Sequence, residues 1–259
     1  MHVRVETYEL ELTTPIITAH GPIATRRIIV VHTSDGAAQG SGEASPLPGF
    51  GLESYDDALR QLRGWSLDRV IPTGPAAAAA VASALDNLEA ARAGVGLDEW
   101  LSGRTTDGRL AVQALIGAST PHDVAEAAGH AARSGHLAVK LKVAAQPPEV
   151  DIARARAARA AVGPNMLLRL DANQGWDLAT AESVLRSLHD VDVDFVEEPT
   201  PRIDDFALLA TRTGISVAVD EHLADHETAA AILRRSAAAV AILKPAVLGG
   251  PTATFALAV

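Results

Sequence analysis

The chain has 259 residues, 48% of them hydrophobic, enough to bury the core of one large domain or two smaller ones. A formal net charge of −10, with no cluster of Lys and Arg to offset it, argues against a nucleic-acid-binding surface. Cysteine is absent, which excludes disulfides and thiolate metal sites; no run approaches the ~18 apolar residues of a membrane-spanning helix, and MHVRVETYEL lacks the apolar core of a signal peptide, so a cytoplasmic protein is expected.

The chain opens with three β-like runs at roughly 3–12, 26–33 and 37–43, with Ser-Asp-Gly as the turn between the last two. Two helices are expected next, over about 53–65 and 75–93. The second is rich in alanine, but its Leu, Asn and Glu residues and closing Gly mark a packed helix rather than a low-complexity segment. SGRTTDGR, at 102–109, has linker composition. Residues 1–103 therefore read as an α+β module and 104–259 as a second domain.

From residue 110 the pattern changes to short apolar strands alternating with Ala-, Arg- and Glu-rich helices: LAVQALIGA, HLAVKLKV, MLLRLDAN, VDFVEEP, ISVAVDE and VAILKP, each followed by a helix. Six βα units in succession imply a parallel sheet. The strands close on charges at regular intervals: Lys142 to Asp171 is 29 residues, Asp171 to Glu197 is 26, Glu197 to Asp220 is 23 and Asp220 to Lys244 is 24. In a (β/α)₈ barrel such strand ends converge on one site, whereas a doubly wound sheet would spread them along an edge. The Gly-rich first turn of a dinucleotide fold and the Gly-Lys pair of a P-loop are both missing. Closing eight strands would need two further units of about 25 residues. The sequence ends at TFALAV inside the sixth helix, so a truncated form is expected.

The 22 basic residues comprise 19 arginines and three lysines: Lys140, Lys142 and Lys244. A Lys amine can be tuned to lose its proton and an Arg guanidinium cannot, so lysines placed in strands invite a chemical reading. The competing reading is that they are stem-packing or edge-strand lysines. Residues two apart on a strand share a face, which pairs Lys140 with Lys142, Arg169 with Asp171, and Ser216 and Ala218 with Asp220. Parity does not decide between Glu197 and Glu198. Carboxylates on three consecutive strand ends make an oxygen site for a hard cation such as Mg²⁺, with helix N-capping as the alternative. A metal beside lysines suggests proton abstraction next to a carboxylate, with the metal stabilising the enediolate and a neutral Lys, its pKa lowered by neighbouring positive charge, acting as base. His222 and His226, four apart, could pair on zinc, but HExxH is absent, as is the GxSxG of a serine hydrolase. Trp100 and Trp176 are expected to pack at helix or domain contacts.

KLK, DAN, EEP, DE and the Lys of LKPAVLGG, in that order, resemble the enolase superfamily, muconate-lactonizing-enzyme subgroup, over nearly the whole chain. The resemblance implies an α/β fold: a (β/α) barrel over 104–259, lacking strands 7 and 8, with an N-terminal α+β capping domain over 1–103. It implies Asp171, Glu197 and Asp220 as ligands of Mg²⁺ (Mn²⁺ as alternative), Lys142 as catalytic acid/base, and Lys244 as the lysine on the opposite face. Lys140 would tune Lys142, Arg169 would support the site, and Asn173 and Glu221 would lie behind the ligands. Enolase-type sites are themselves a standard example of Lys or His bases with Mg²⁺.

Within the subgroup, LRLDANQGW, FVEEP and LKPAVLGG most resemble the o-succinylbenzoate synthases, which implies Mg-dependent dehydration of a cyclohexadiene carboxylate in menaquinone biosynthesis. His20, Pro48, Phe50 and Gly51 would contact the ring from the capping segments. Two departures stand out: Ser41 where the family often has Trp, and the missing strand 7 and 8 loops. The alternatives are an N-acylamino acid racemase or dipeptide epimerase working with Lys142 and Lys244 as opposed bases, and an inactive fragment or binding protein. The expected partner is a small-molecule carboxylate, with no nucleic acid or membrane, and homo-oligomerisation is left open.

Overall fold

The computed structural model describes the chain except residues 19–20, 48–52, 106–107, 109 and 236–237; for residues 14, 16–18 and 21 only the backbone is described. It divides into two compact units: Met1–Gly108 with Ala224–Ala230 and Leu243–Val259, and Arg109–Leu223 with Ala231–Ile242. No helix among the described residues is long and apolar enough to cross a membrane.

The first unit begins with an antiparallel sheet of β1 (His2–Thr18), β2 (Gly21–Ser34) and β3 (Gln39–Ala44). The hairpin strands are longer than apolar alternation predicts, because pairing from His2↔Ser34 to Glu11↔Thr25 resumes after an irregularity at Ile16↔Ile23. The turn into β3 is set by Asp35, whose carboxylate accepts from the Ala37 and Ala38 N–H groups at 3.1 and 2.9 Å.

Two helices follow, α1 (Tyr55–Asp68), capped by Ser54 accepting from the Asp57 N–H, and α2 (Pro75–Ala93). The alanines of α2 have a geometric purpose. A Cβ on Gly42 would lie 1.9 Å from the Ala80 carbonyl oxygen, and one on Gly40 2.1 Å from that of Ala84, so helix and strand backbones touch where neither has bulk. Around this contact Ile29, Val31, Ala58, Leu62 and Trp65 are buried, the larger apolar ones each contributing roughly 1.5–3 kcal/mol. A short helix, α3 (Leu97–Ser102), extends into what composition marks as the start of a linker. Trp100 on it is 43% exposed, unlike the packed residue expected, whereas Trp176 is buried.

The second unit holds six parallel strands: β4 (Gln113–Ile116), β5 (Ala138–Lys142), β6 (Leu167–Asp171), β7 (Val193–Glu197), β8 (Ser216–Val219) and β9 (Val240–Ala241). Between the strands the chain forms α4 (Pro121–Arg133), α5 (Pro148–Val162), α6 (Leu178–Ser187), α7 (Asp204–Thr213) and α8 (His226–Arg234), the first residues of which are assigned to the first unit, as is all of α9 (Pro251–Ala258). The strand order is consecutive, β4-β5-β6-β7-β8-β9, with no reversal point. That is the winding of a (β/α) barrel and not of a doubly wound sheet. Val139, Leu141, Leu168, Leu170, Val196, Val217 and Val219 are buried at alternate positions. The intervening positions of β5, β6 and β7 carry Lys140, Lys142, Arg169, Asp171 and Glu197, so the period-two pattern separates an apolar face from a charged one.

Candidate active site

The register brings the charges into rows. Lys142, Asp171, Glu197 and Ala218 are consecutive partners across β5, β6, β7 and β8, at the C-terminal strand ends. Two positions earlier Lys140 pairs with Arg169 and Arg169 with Phe195. Asp220 follows β8 directly, and Asp171, Glu197 and Asp220 are all buried. Left-handed residues lie in the turns after the strands: Ala144, Asn173, Gln174 and Glu198 have φ of 67°, 43°, 64° and 43°. Outside glycine such conformations cost roughly 1–3 kcal/mol each and concentrate at functional sites.

Two lysine side chains meet the carboxylates. Lys142 Nζ donates to Asp171 Oδ2 and to Asn173 Oδ1, both at 2.6 Å. Asn173 Nδ2 in turn donates to Glu221 Oε1 at 2.7 Å, so a chain of hydrogen bonds runs from the lysine across two loops. Lys140 Nζ lies 2.9 Å from Asp171 Oδ2 and 3.0 Å from each Glu197 carboxylate oxygen.

The electrostatics follow from burial and crowding. Burial works to lower the pKa of Lys140, but the Asp171 and Glu197 charges outweigh it and hold the ammonium above its ordinary value. Burial also works to raise Asp171, and its hydrogen bond to Lys142 together with both lysine charges leaves it below the usual carboxylate range. Glu197 is pushed up to about 7, first by burial and then by Asp171, with Asp220 adding in the same direction. Glu221 is raised by burial, against the hydrogen bond from Asn173. Lys140, expected to tune Lys142, meets the carboxylates of Glu197 and Asp171, and it shares Asp171 Oδ2 with Lys142.

The donor set fits a hard divalent cation in its chemistry. It is all oxygen, and a dication would relieve both the burial and the repulsion from Asp171 and Asp220 that raise Glu197. Among the described residues no three His, Asp or Glu side chains are gathered closely enough to hold a metal ion. The position between Asp171 and Glu197 belongs to the Lys140 ammonium.

The other predicted residues are placed as follows. Arg169 donates to Asp194 Oδ2 at 2.8 Å and Gln113 Oε1 at 2.9 Å, with its guanidinium 4.9 Å from the Phe195 ring centre. Lys244, in the first compact unit, accepts at its carbonyl from the Val247 and Leu248 N–H groups. His20, Pro48, Phe50 and Gly51 lie outside the described residues. The zinc alternative at His222 meets a ring engaged elsewhere, with Nδ1 2.7 Å from Glu198 Oε2 and Nε2 3.2 Å from the Pro201 carbonyl oxygen. The pairing of Glu198 with His222 is what sequence reasoning missed, having left Glu198 undecided against Glu197 and weighed His222 only for zinc. The doubled Glu of EEP was the available signal, since strand alternation must turn one of the two away.

Comparison with known proteins bears on the family and the fold. Residues 123–259 match the family model for enolase C-terminal domain-like proteins, and residues 1–87 match that for the MenC N-terminal domain. An o-succinylbenzoate synthase of Thermobifida fusca is 36% identical over 51% of this chain and 43% of its own length, so less than half of that relative is spanned. Muconate cycloisomerase 1 of Pseudomonas putida is 28% identical over 87% of this chain and 66% of that protein. The hydrophobic dipeptide epimerase of Enterococcus faecalis is 27% identical over 96% and 75%. Among solved structures, the Enterococcus faecalis dipeptide epimerase complexed with Mg and L-Leu-L-Tyr superposes with a TM-score of 0.88 at 24% identity, covering 98% of this chain and 77% of that one. That likeness concerns the fold. An o-succinylbenzoate synthase from Thermosynechococcus elongatus, with Mg in its active site, superposes at 0.78 with 26% identity, covering 99% and 80%.

Proposed function

The chain belongs to the enolase superfamily, and from that premise we propose that it is an o-succinylbenzoate synthase, a carbon–oxygen lyase acting on a cyclohexadiene carboxylate. The observation that carries the reading is Lys142 Nζ at 2.6 Å from both Asp171 and Asn173, a lysine held by polar partners at the strand ends where the charged row converges. The match of residues 1–87 to the MenC N-terminal domain and the 36% identity to the Thermobifida enzyme support this branch over its neighbours.

In this reading Lys142, as the free amine, takes the α-proton of the substrate carboxylate. The same proton then goes to the hydroxyl that leaves, the carbon–oxygen bond breaks, and water and an aromatic acid, 2-succinylbenzoate, result. Asn173, supported by Glu221, orients the lysine. Lys140 stays protonated and balances the buried carboxylates. Lys244 would attract the anionic intermediate by charge and by cation–π contact. Asp171, Glu197 and Asp220 would hold Mg²⁺, whose chemistry when bound is to stabilise negative charge on the substrate carboxylate.

Dipeptide epimerisation is the second reading, favoured by the 27% identity to the Enterococcus faecalis dipeptide epimerase over 96% of the chain. One assay separates the two. With Mg²⁺ and the cyclohexadiene substrate, the synthase reading expects an aromatic product; exchange of a dipeptide α-proton into solvent without dehydration would overturn it in favour of epimerisation.

A further inference from the structure

Glu198 is fully buried and has no part in the proposed reaction. Its contacts run to the main chain of the next loop. Oε1 accepts the Asp220 N–H at 2.7 Å and the His222 N–H at 2.9 Å. Oε2 faces His222 Nδ1 at 2.7 Å, and the ring is held from its other side by the Pro201 carbonyl and the edge-on Phe206, 5.4 Å between ring centres. The main chain of Glu198 is fixed as well: its N–H donates to Ala218 and its carbonyl accepts from Gln174, at 3.0 and 2.7 Å. One residue thus joins the loop after β6, the end of β7 and the turn after β8.

We propose that Glu198 is the positioning residue of the Asp220–His222 turn, its carboxylate gripping two main-chain N–H groups and thereby setting where the Asp220 and Glu221 side chains project. Glu197 and Glu198 divide the work of the EEP sequence. Glu197 turns toward Lys140 and Asp171, and Glu198, in the left-handed conformation, turns toward the neighbouring turn. The consequence for cation binding rests on the reading of Asp220 as a ligand. Partners that hold ligands from behind typically change metal affinity 10–100-fold when removed.

The test uses the 259-residue chain with Mn²⁺ as a paramagnetic probe, together with amide hydrogen exchange at Asp220 and His222. Glu198→Ala should weaken Mn²⁺ binding by about 10–100-fold in the folded fraction and speed exchange at both amides. Glu198→Gln keeps an oxygen for the two N–H groups and offers its NH₂ to a His222 Nδ1 that accepts, so both readouts should return close to the parent's. A residue that only stabilises the fold would lower the melting temperature and leave Mn²⁺ affinity of the folded fraction alone. Should Glu198→Ala not fold, Glu198→Asp, one methylene short of the two N–H groups, should show the same two changes. Unchanged exchange in the truncated variants, or a folded Glu198→Gln that rescues nothing, overturns the proposal. A parent chain that binds no Mn²⁺ overturns the ligand reading of Asp220 instead, and the amide exchange then decides the role of Glu198 by itself.

Discussion

The Lys140 ammonium donates to both carboxylate oxygens of Glu197 at 3.0 Å while Asp171 Oδ2 lies 2.9 Å from the same nitrogen. With the Lys140 side chain 14% exposed and that of Glu197 fully buried, this is an interior pair. Removing one partner leaves a buried charge without compensation, which costs about 3–5 kcal/mol. Lys140→Met should fall toward the lower end, because a Glu197 already pushed up to about 7 can take a proton. Urea unfolding at neutral pH measures the loss; an unchanged midpoint would show that the pair is not formed.

Lys142 should be irreplaceable by arginine. The guanidinium keeps the positive charge beside Asp171 and cannot release a proton, so Lys142→Arg should reduce formation of the aromatic product by about 10²–10⁴-fold with the circular dichroism spectrum preserved. Retention of the full rate would remove Lys142 as the base.

The strand ends were legible because a βα unit repeats at a near-constant interval, so charges spaced 23 to 29 residues apart fall on neighbouring strands. Period-two alternation separated Lys140 and Lys142 from Val139 and Leu141 for the same reason. What alternation could not resolve was the division between Glu197 and Glu198, which depends on a left-handed φ at Glu198 and on the approach of the Asp220 turn, 22 residues away in sequence. The contacts of Lys140 were also illegible: that its ammonium meets Asp171 and Glu197 depends on the register of β5, β6 and β7. The short helix α3, which ends at Ser102 where linker composition begins, was not legible because six residues are too few for an apolar period to emerge.

The contact between α2 and β3 yields a stability prediction. In Gly42→Ala the new methyl would meet the Ala80 carbonyl oxygen at 1.9 Å and the Ala84 nitrogen at 2.8 Å, both main chain and unable to give way. The variant should lose about 3 kcal/mol or more, the upper range for overpacking. Gly36→Ala is the control: its Cβ meets nothing within 4 Å, and its φ of 95° limits the cost to backbone strain, of the order of 1–2 kcal/mol. Thermal melts that rank Gly36→Ala as the more damaging would contradict the close helix–strand approach.

The turn at Asp35 gives the pH dependence. Its carboxyl is lowered to about 2, first by the Ala38 N–H, then by the Arg92 guanidinium and the Ala37 N–H. In the unfolded chain an aspartate titrates near 3.9. The folded value is the lower one, so the folded state favours the carboxylate. Its contribution to stability is fully present above about pH 4 and is lost as the pH falls from there through about 2. Asp35→Asn removes the titrating group and should flatten the stability–pH curve in that window relative to the parent, leaving it parallel above pH 5. Carbon-detected NMR titration of the Asp35 carboxyl gives the direct check: a midpoint near 4 in the folded protein would mean that the two N–H groups and Arg92 do not hold it.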